Sequence, residues 1–225
     1  MNMIKVFKVV ATGALMALAS QVALAQSAGN WMVRGGYGTI APQVKSGNLS
    51  APSIANSKTD VGSASNLMGG FTYMYTDNLS VDLPFALPFE HKLYGAGAIA
   101  GVGQIGKVSA LPLTVLFQYR FLEPKSALRP YVGVGPTYAY FFNETGSGAL
   151  TGLTNPGGTP TKIKIDGQFT FTAQIGATYA IDKNWFVDVF YSNTPLKTKT
   201  TLSTGQTVDV TLDPNAYGVS IGYKF

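Results

Sequence analysis

Two places in this 225-residue chain carry residue types that could do chemistry. Gly101-Val102-Gly103-Gln104-Ile105-Gly106 fits G-x-G-x-x-G. That pattern cradles a pyrophosphate when it follows a strand, opens a helix and sits in a parallel βαβ unit. No such context surrounds it, so a flexible exterior loop is the better reading. His91 is the only histidine. A hydrolase would need a serine nucleophile and an orienting acid in register with it. Glu90 alternates to the opposite face, no serine follows closely, and one histidine cannot build a zinc site. The chain has no cysteine, which excludes disulfides, thiol chemistry and cysteine metal sites. No cofactor is implied.

The remaining chemistry is a set of charges on the small-residue side of alternating apolar segments: Arg34, Asp82, Arg120, Asp188 and Lys224. Strand side chains alternate with period two, so a segment that alternates large apolar with small residues reads as a strand with two unlike faces. Eight such segments are expected, at 30–39, 66–76, 79–90, 110–121, 130–142, 168–181, 185–194 and about 208–225. The apolar face of the third carries Leu79, Val81, Leu83, Phe85, Leu87 and Phe89; that of the last ends Tyr217, Val219, Ile221, Tyr223, Phe225. Opposite faces are mostly Gly, Ala, Ser, Thr and Gln, and small residues suit the narrow lumen of an eight-stranded barrel.

Composition narrows the class. Charged residues are 12% of the chain, against about 25% in an ordinary soluble domain. Beyond the amino end no run approaches the length of a membrane helix. Strands in lipid must satisfy their backbone groups by closing on themselves, so an antiparallel transmembrane β-barrel is expected. Lys5 and Lys8 precede an apolar run, and Ala23-Leu24-Ala25 is an A-x-A cleavage pattern. Residues 1–25 therefore read as a cleaved secretory signal peptide and 26–225 as the barrel, the alternative being a buried amino-terminal helix. Without Lys5 and Lys8, fourteen bases face eleven acids, a net charge of +3. That balance is too weak for nucleic acid. Turns near 77–78, 123–128 and 182–184 are short, while links 40–65, 91–109 and 145–167 are long; only the link at 203–206 is brief among the latter set. This is the asymmetry of short periplasmic turns and longer extracellular loops. Trp31 and Trp185 both fall at the short-turn end, as interfacial aromatic belts require.

Several pieces, in order, resemble the OmpW family of small outer-membrane proteins. They are Asn30-Trp31-Met32-Val33-Arg34-Gly35-Gly36, Phe89-Glu90-His91, Leu111-Pro112-Leu113-Thr114 running into Gln118-Tyr119-Arg120-Phe121, and Arg129-Pro130-Tyr131-Val132-Gly133-Val134-Gly135. The aromatic stretch from Tyr138 to Phe142, Asp213-Pro214 and the terminal Gly222-Tyr223-Lys224-Phe225 complete the match. The resemblance implies a bacterial outer-membrane barrel with a narrow hydrophobic channel. It also implies uptake of small hydrophobic molecules, with some members tied to stress response or serving as phage and colicin receptors. Tyr217, Tyr223 and Phe225 resemble the carboxy-terminal insertion signal read by the barrel-assembly machinery.

Sorted by height, the inward residues give two zones. Arg34, Asp82, Arg120, Asp188 and Lys224 lie toward the periplasm as an expected charged plug, with Met32, Met74 and Phe186 also low. Met68, Ala86, Pro88, Leu116, Ala139, Phe141 and Phe190 lie in the middle and outer half as an expected apolar funnel. The competing reading is a closed barrel whose charges only fill it and whose loops bind a partner. Pro84, Pro88 and Pro112 interrupt adjacent strands three and four, and proline donates no ladder hydrogen bond. They mark either a lateral exit or bulges that shape the wall. His91 is expected on the surface at the outer rim, near lipopolysaccharide head groups, with Lys162 and Lys164 as further lipopolysaccharide contacts. Monomer is the default for a small barrel.

Overall fold

The computed structural model describes residues 26–225; the expected signal peptide lies outside the described residues. In chain order the strands are β1 (Trp31–Ala41), β2 (Lys45–Ser46), β3 (Ser57–Val61), β4 (Ala64–Met74), β5 (Leu79–Ala86), β6 (Phe89–Gly97), β7 (Gln104–Thr114) and β8 (Leu116–Arg120). Then come β9 (Leu128–Gly146), helix α1 (Gly148–Thr154), β10 (Ile163–Ile165), β11 (Gln168–Ala180), β12 (Trp185–Asn193), β13 (Lys197–Leu202), β14 (Thr207–Thr211) and β15 (Asn215–Lys224).

Eight staves close into an antiparallel barrel in the order β1, β4, β5, β8, β9, β11, β12, β15 and back to β1. The first and last staves meet in register from Met32 opposite Lys224 to Ala41 opposite Asn215. Reciprocal bonds between Trp31 and Phe225 finish that seam, N to O, at 3.1 and 3.0 Å. Closure removes the free sheet edges in the lipid zone except at one seam between β5 and β7. The outer wall carries the expected apolar residues: Leu79, Leu83, Phe85, Phe117, Tyr119, Val132, Val134, Ile175, Val189, Val219 and Ile221 are all exposed. Trp31 packs on Tyr73 at 4.8 Å and Trp185 on Tyr223 at 5.2 Å, which sets an aromatic belt at the short-turn rim. Tyr223 also meets Phe225 at 5.8 Å.

The loop end departs from expectation. The link before the last stave is not brief. Membrane strand eight begins at Asn215, and 194–214 is a long loop holding the β13–β14 hairpin. Val208, Val210 and Leu212 alternate as a lipid-facing strand would, but they point into a core under the loops. Asp213, at a φ of 34°, and Pro214 break the strand between the two uses of the same pattern. β10, β13, β14 and β2 form a second four-stranded sheet from three different loops. Its inner face joins Leu150 of α1, Leu93, Ile105, Val108 and Phe141 in one apolar cluster. Ser147 caps α1, its Oγ accepting from Leu150 N at 3.2 Å. The loops therefore form a packed dome on the barrel, not four independent arms.

Candidate functional site

The floor of the barrel is built by side chains that point inward from neighbouring staves near the short-turn end. Arg34 on β1 donates from Nη1 and Nη2 to Asp82 Oδ1 and Oδ2 on β5, at 2.7 and 2.8 Å. This fork-to-fork pairing is the strongest geometry for the two groups. β4 stands between β1 and β5, and the register places Gly70 beside both Arg34 and Pro84. A Cβ on Gly70 would lie 2.7 Å from Arg34 Cζ, so the guanidinium crosses β4 only because position 70 has no side chain. Thr72 donates to Asp82 Oδ1 at 2.6 Å and accepts from Arg34 Nη1 at 2.9 Å.

Asp188 on β12 is held by Tyr131 Oη at 3.1 Å and Thr178 Oγ1 at 2.9 Å, with Arg34 Nε 3.8 Å away. Arg120 on β8 lies over the Tyr131 ring at 4.8 Å and donates to Gln118 Oε1, Thr178 Oγ1 and Ser80 Oγ at 3.0, 2.9 and 3.2 Å. Below it, Arg129 is fully buried and donates to the carbonyls of Gln26 and Asp77 at 2.6 and 2.7 Å. Gln26 also offers its Oε1 to Arg120 at 3.3 Å, so the start of the described chain is built into the floor. No buried side-chain N or O among the described residues lacks a partner. A buried charge is tolerable only under that condition.

Above the floor is an apolar cavity of about 210 Å³. Its wall includes Met68, Ala86, Phe89, Leu116, Ala139, Phe141 and Phe190; its roof is the loop cluster with Leu150, Ile163, Leu202 and Val210. Arg34 reaches it from below. An apolar cavity of about 150 Å³ already holds benzene in another protein, so the space here is large enough for a small hydrophobic molecule.

The wall is incomplete on one side. β5 pairs with β8 only from Leu79 opposite Tyr119 to Asp82 opposite Leu116. Pairing resumes between β6 and β7 at Phe89 opposite Ala110. Between these points, residues 83–88 face 111–115 with no ladder, and Pro84, Pro88 and Pro112 all fall in this stretch. Each side remains bonded to its other neighbour, through Ala86 opposite Met68 and Thr114 opposite Thr137. Val115 N continues the second side to Pro136 O at 3.1 Å. The outward-directed Phe85, half-buried Leu111, Pro84 and Pro112 line the same cavity as the inward residues, so the cavity reaches the wall at this seam.

A family model described as the OmpW family matches residues 27–225. The chain belongs to the OmpW family. Outer membrane protein W of Vibrio cholerae serotype O1 is 34% identical over 221 residues, 94% of this chain and 95% of that protein. The crystal structure of the outer membrane protein OprG from Pseudomonas aeruginosa superposes with a TM-score of 0.81 at 27% identity, covering 90% of this chain and 98% of that one. A more distant relative, dibenzothiophene metabolism operon protein DoxH of Pseudomonas sp. (strain C18), is 24% identical over 180 residues, 79% of each chain. This OmpW-family chain is an outer-membrane protein, with its short turns periplasmic and its long loops extracellular.

Within this family frame the structure rearranges several sequence expectations. It gathers Arg34, Asp82, Arg120 and Asp188 at one depth, but Lys224 sits half-buried at the periplasmic rim, in the field of Asp182 of the neighbouring turn. Arg129, fully buried, is the third cation of the floor. Leu116 stands opposite Asp82, at the bottom of the cavity that it lines. Pro88 is exposed and off the cavity, whereas Phe89, expected on the lipid face, is 3% exposed and lines it. Inward parity slips by one residue at the break between β5 and β6, so even positions point in below it and odd positions above it. The same slip buries His91, which was expected on the surface. Its Nδ1 lies 2.8 Å from Gly62 O, above the apolar girdle, and its ring lines the cavity. Met32, Met74 and Phe186 pack together as a small apolar cluster near the floor. Gly101 and Gly103 form a positive-φ tip between antiparallel β6 and β7, which is not a nucleotide loop. Lys162 and Lys164 are exposed on the dome.

Proposed function

We propose that this chain is a passive outer-membrane channel for small hydrophobic molecules, which gather in the apolar cavity under the dome and leave sideways into the bilayer through the seam between β5 and β7. The observation that carries this reading is the missing ladder between 83–88 and 111–115, where the cavity lining includes residues of the lipid-facing wall. The floor fills the straight route, since each of its charges is held by a partner on a nearby stave, a turn or the amino-terminal segment. The seam offers a route with no charge on it: Leu83, Phe85, Leu87, Leu111 and Leu113 flank the opening. Transfer of a solute from water would supply about 0.8 kcal/mol per buried CH₂, and no energy source is needed. A DoxH relative named for an operon of dibenzothiophene metabolism agrees with an apolar cargo. On this reading the chain carries no catalytic role and works as a monomer, with Lys162 and Lys164 facing lipopolysaccharide phosphates.

The seam is tested by tying it shut. The chain has no cysteine, so a Phe85→Cys, Leu113→Cys pair can be oxidised without side products. Uptake of a labelled medium-chain alkane should fall on oxidation and recover on reduction. Uptake that ignores the cross-link would send the exit elsewhere.

A further inference from the structure

Four threonines, on β7, β9 and β11 and just past the end of β12, form a continuous row of hydroxyls on the cavity wall. Thr114 and Thr137 lie 2.9 Å apart, Thr137 and Thr172 2.6 Å, and Thr172 and Thr194 2.8 Å, each Oγ1 to Oγ1. All four line the cavity. The register creates the row. Thr114 is directly opposite Thr137, and Thr137 opposite Thr170 makes Thr172 its diagonal neighbour. Asn193 opposite Ala173 brings Thr194 beside Thr172. The row starts under the dome at Thr194 and ends at Thr114, which lies in the unpaired side of the seam.

A hydroxyl has one donor and two acceptor sites. Three contacts among four hydroxyls use three hydrogens and leave one donor at an end of the row, with acceptors along it. The direction of donation can reverse, so the spare donor is available at Thr194 or at Thr114. A bare hydrocarbon makes no use of such a row, and valine would fill the same volume without the cost of a buried hydroxyl. The floor gives an independent indication. It buries Arg34, Arg120 and Arg129 against Asp82 and Asp188, a net charge of +1, and Arg34 faces the cavity.

We infer that the cavity takes single-headed amphiphiles: medium-chain alkyl compounds with one terminal oxygen group, a hydroxyl or a carboxylate. The alkyl part occupies the apolar cavity and the head exchanges hydrogen bonds along the threonine row toward the seam. The positive floor favours an anionic or neutral head and rejects an amine. This rests on the channel reading above.

The test compares labelled dodecane, 1-dodecanol and dodecanoate in cells carrying the full-length protein, with Thr137→Val, Thr172→Val and Thr137→Ser variants. Each valine removes hydroxyl contacts at constant volume. The ratio of dodecanol or dodecanoate uptake to dodecane uptake should fall about fivefold per valine, the scale of one hydrogen bond, and Thr137→Ser should restore it. A fall for only one of the two oxygenated solutes identifies the head group. Ratios unchanged in both valine variants, while the heat-modifiable folded band persists, overturn the proposal. If the unsubstituted protein fails to speed dodecane at all, the channel reading itself fails, and that result is read without any variant.

Discussion

Asp82→Asn isolates the electrostatics of the floor. The substitution keeps the shape of the side chain and removes one charge from a pair whose side chains are 5% and 0% exposed. Arg34 would keep only Asp188, at 3.8 Å, as an anionic neighbour. The floor would go from three cations and two anions to three and one, raising its buried net charge from +1 to +2. Removing one partner of a buried pair costs about 3–5 kcal/mol, because the other charge stays desolvated. That is about two to three and a half orders of magnitude in the folding constant. The double variant Arg34→Gln, Asp82→Asn returns the net charge to +1 with two neutral groups able to hydrogen-bond, so it should recover more than half of the loss. Equilibrium urea unfolding in lipid vesicles, followed by the two tryptophans Trp31 and Trp185 at the periplasmic belt, measures both. A single variant as stable as the parent, or a double variant no better than the single, would refute the charge-balance argument.

Three further expectations follow from the same geometry. Gly70→Ala places a Cβ 2.7 Å from Arg34 Cζ, so it should displace the guanidinium and lower stability by about 1–3 kcal/mol in the same unfolding assay. Phe141→Asp puts a carboxylate in the cavity wall and should reduce alkane uptake while the folded band on a gel persists; full uptake would remove Phe141 from the solute path. Burial pushes the His91 imidazole below its ordinary value, against the Gly62 carbonyl bond that opposes the shift. The fold thus favours the neutral ring. Its contribution is complete above the unfolded value of about 6.5 and is lost as the pH falls through the lower folded value. Protection of the Gly62 amide, bonded to Lys92 O at 2.9 Å, should drop on acidification, and His91→Gln should flatten that dependence; equal pH profiles would contradict it.

The lipid-facing wall was legible because outward residues such as Leu79, Leu83 and Phe117 alternate against small inward ones, and lipid contact requires that pattern over a full stave. The pattern misleads at Val208, Val210 and Leu212, because a strand covering an apolar dome alternates just as one facing lipid does. Only Asp213-Pro214 marked the break. The parity slip at Leu87-Pro88 was likewise hidden, since the slip depends on an unpaired stretch that is visible only once strands are in register. It moved Phe89 and His91 inside and Pro88 out. Arg129 shares inward parity with Tyr131 on β9, so starting the 130–142 segment one residue earlier would have found it. The threonine row had no sequence signature, because its members are 23, 35 and 22 residues apart in the chain and become neighbours only through register.

The most direct test of the channel compares the uptake of a labelled medium-chain alkane and a small sugar by cells with and without this protein. Faster alkane uptake with unchanged sugar uptake is the predicted result, since the cavity is apolar and paired charges occupy the lumen below it. Unchanged uptake of both, or equal acceleration of both, would contradict an apolar cavity that empties through the wall.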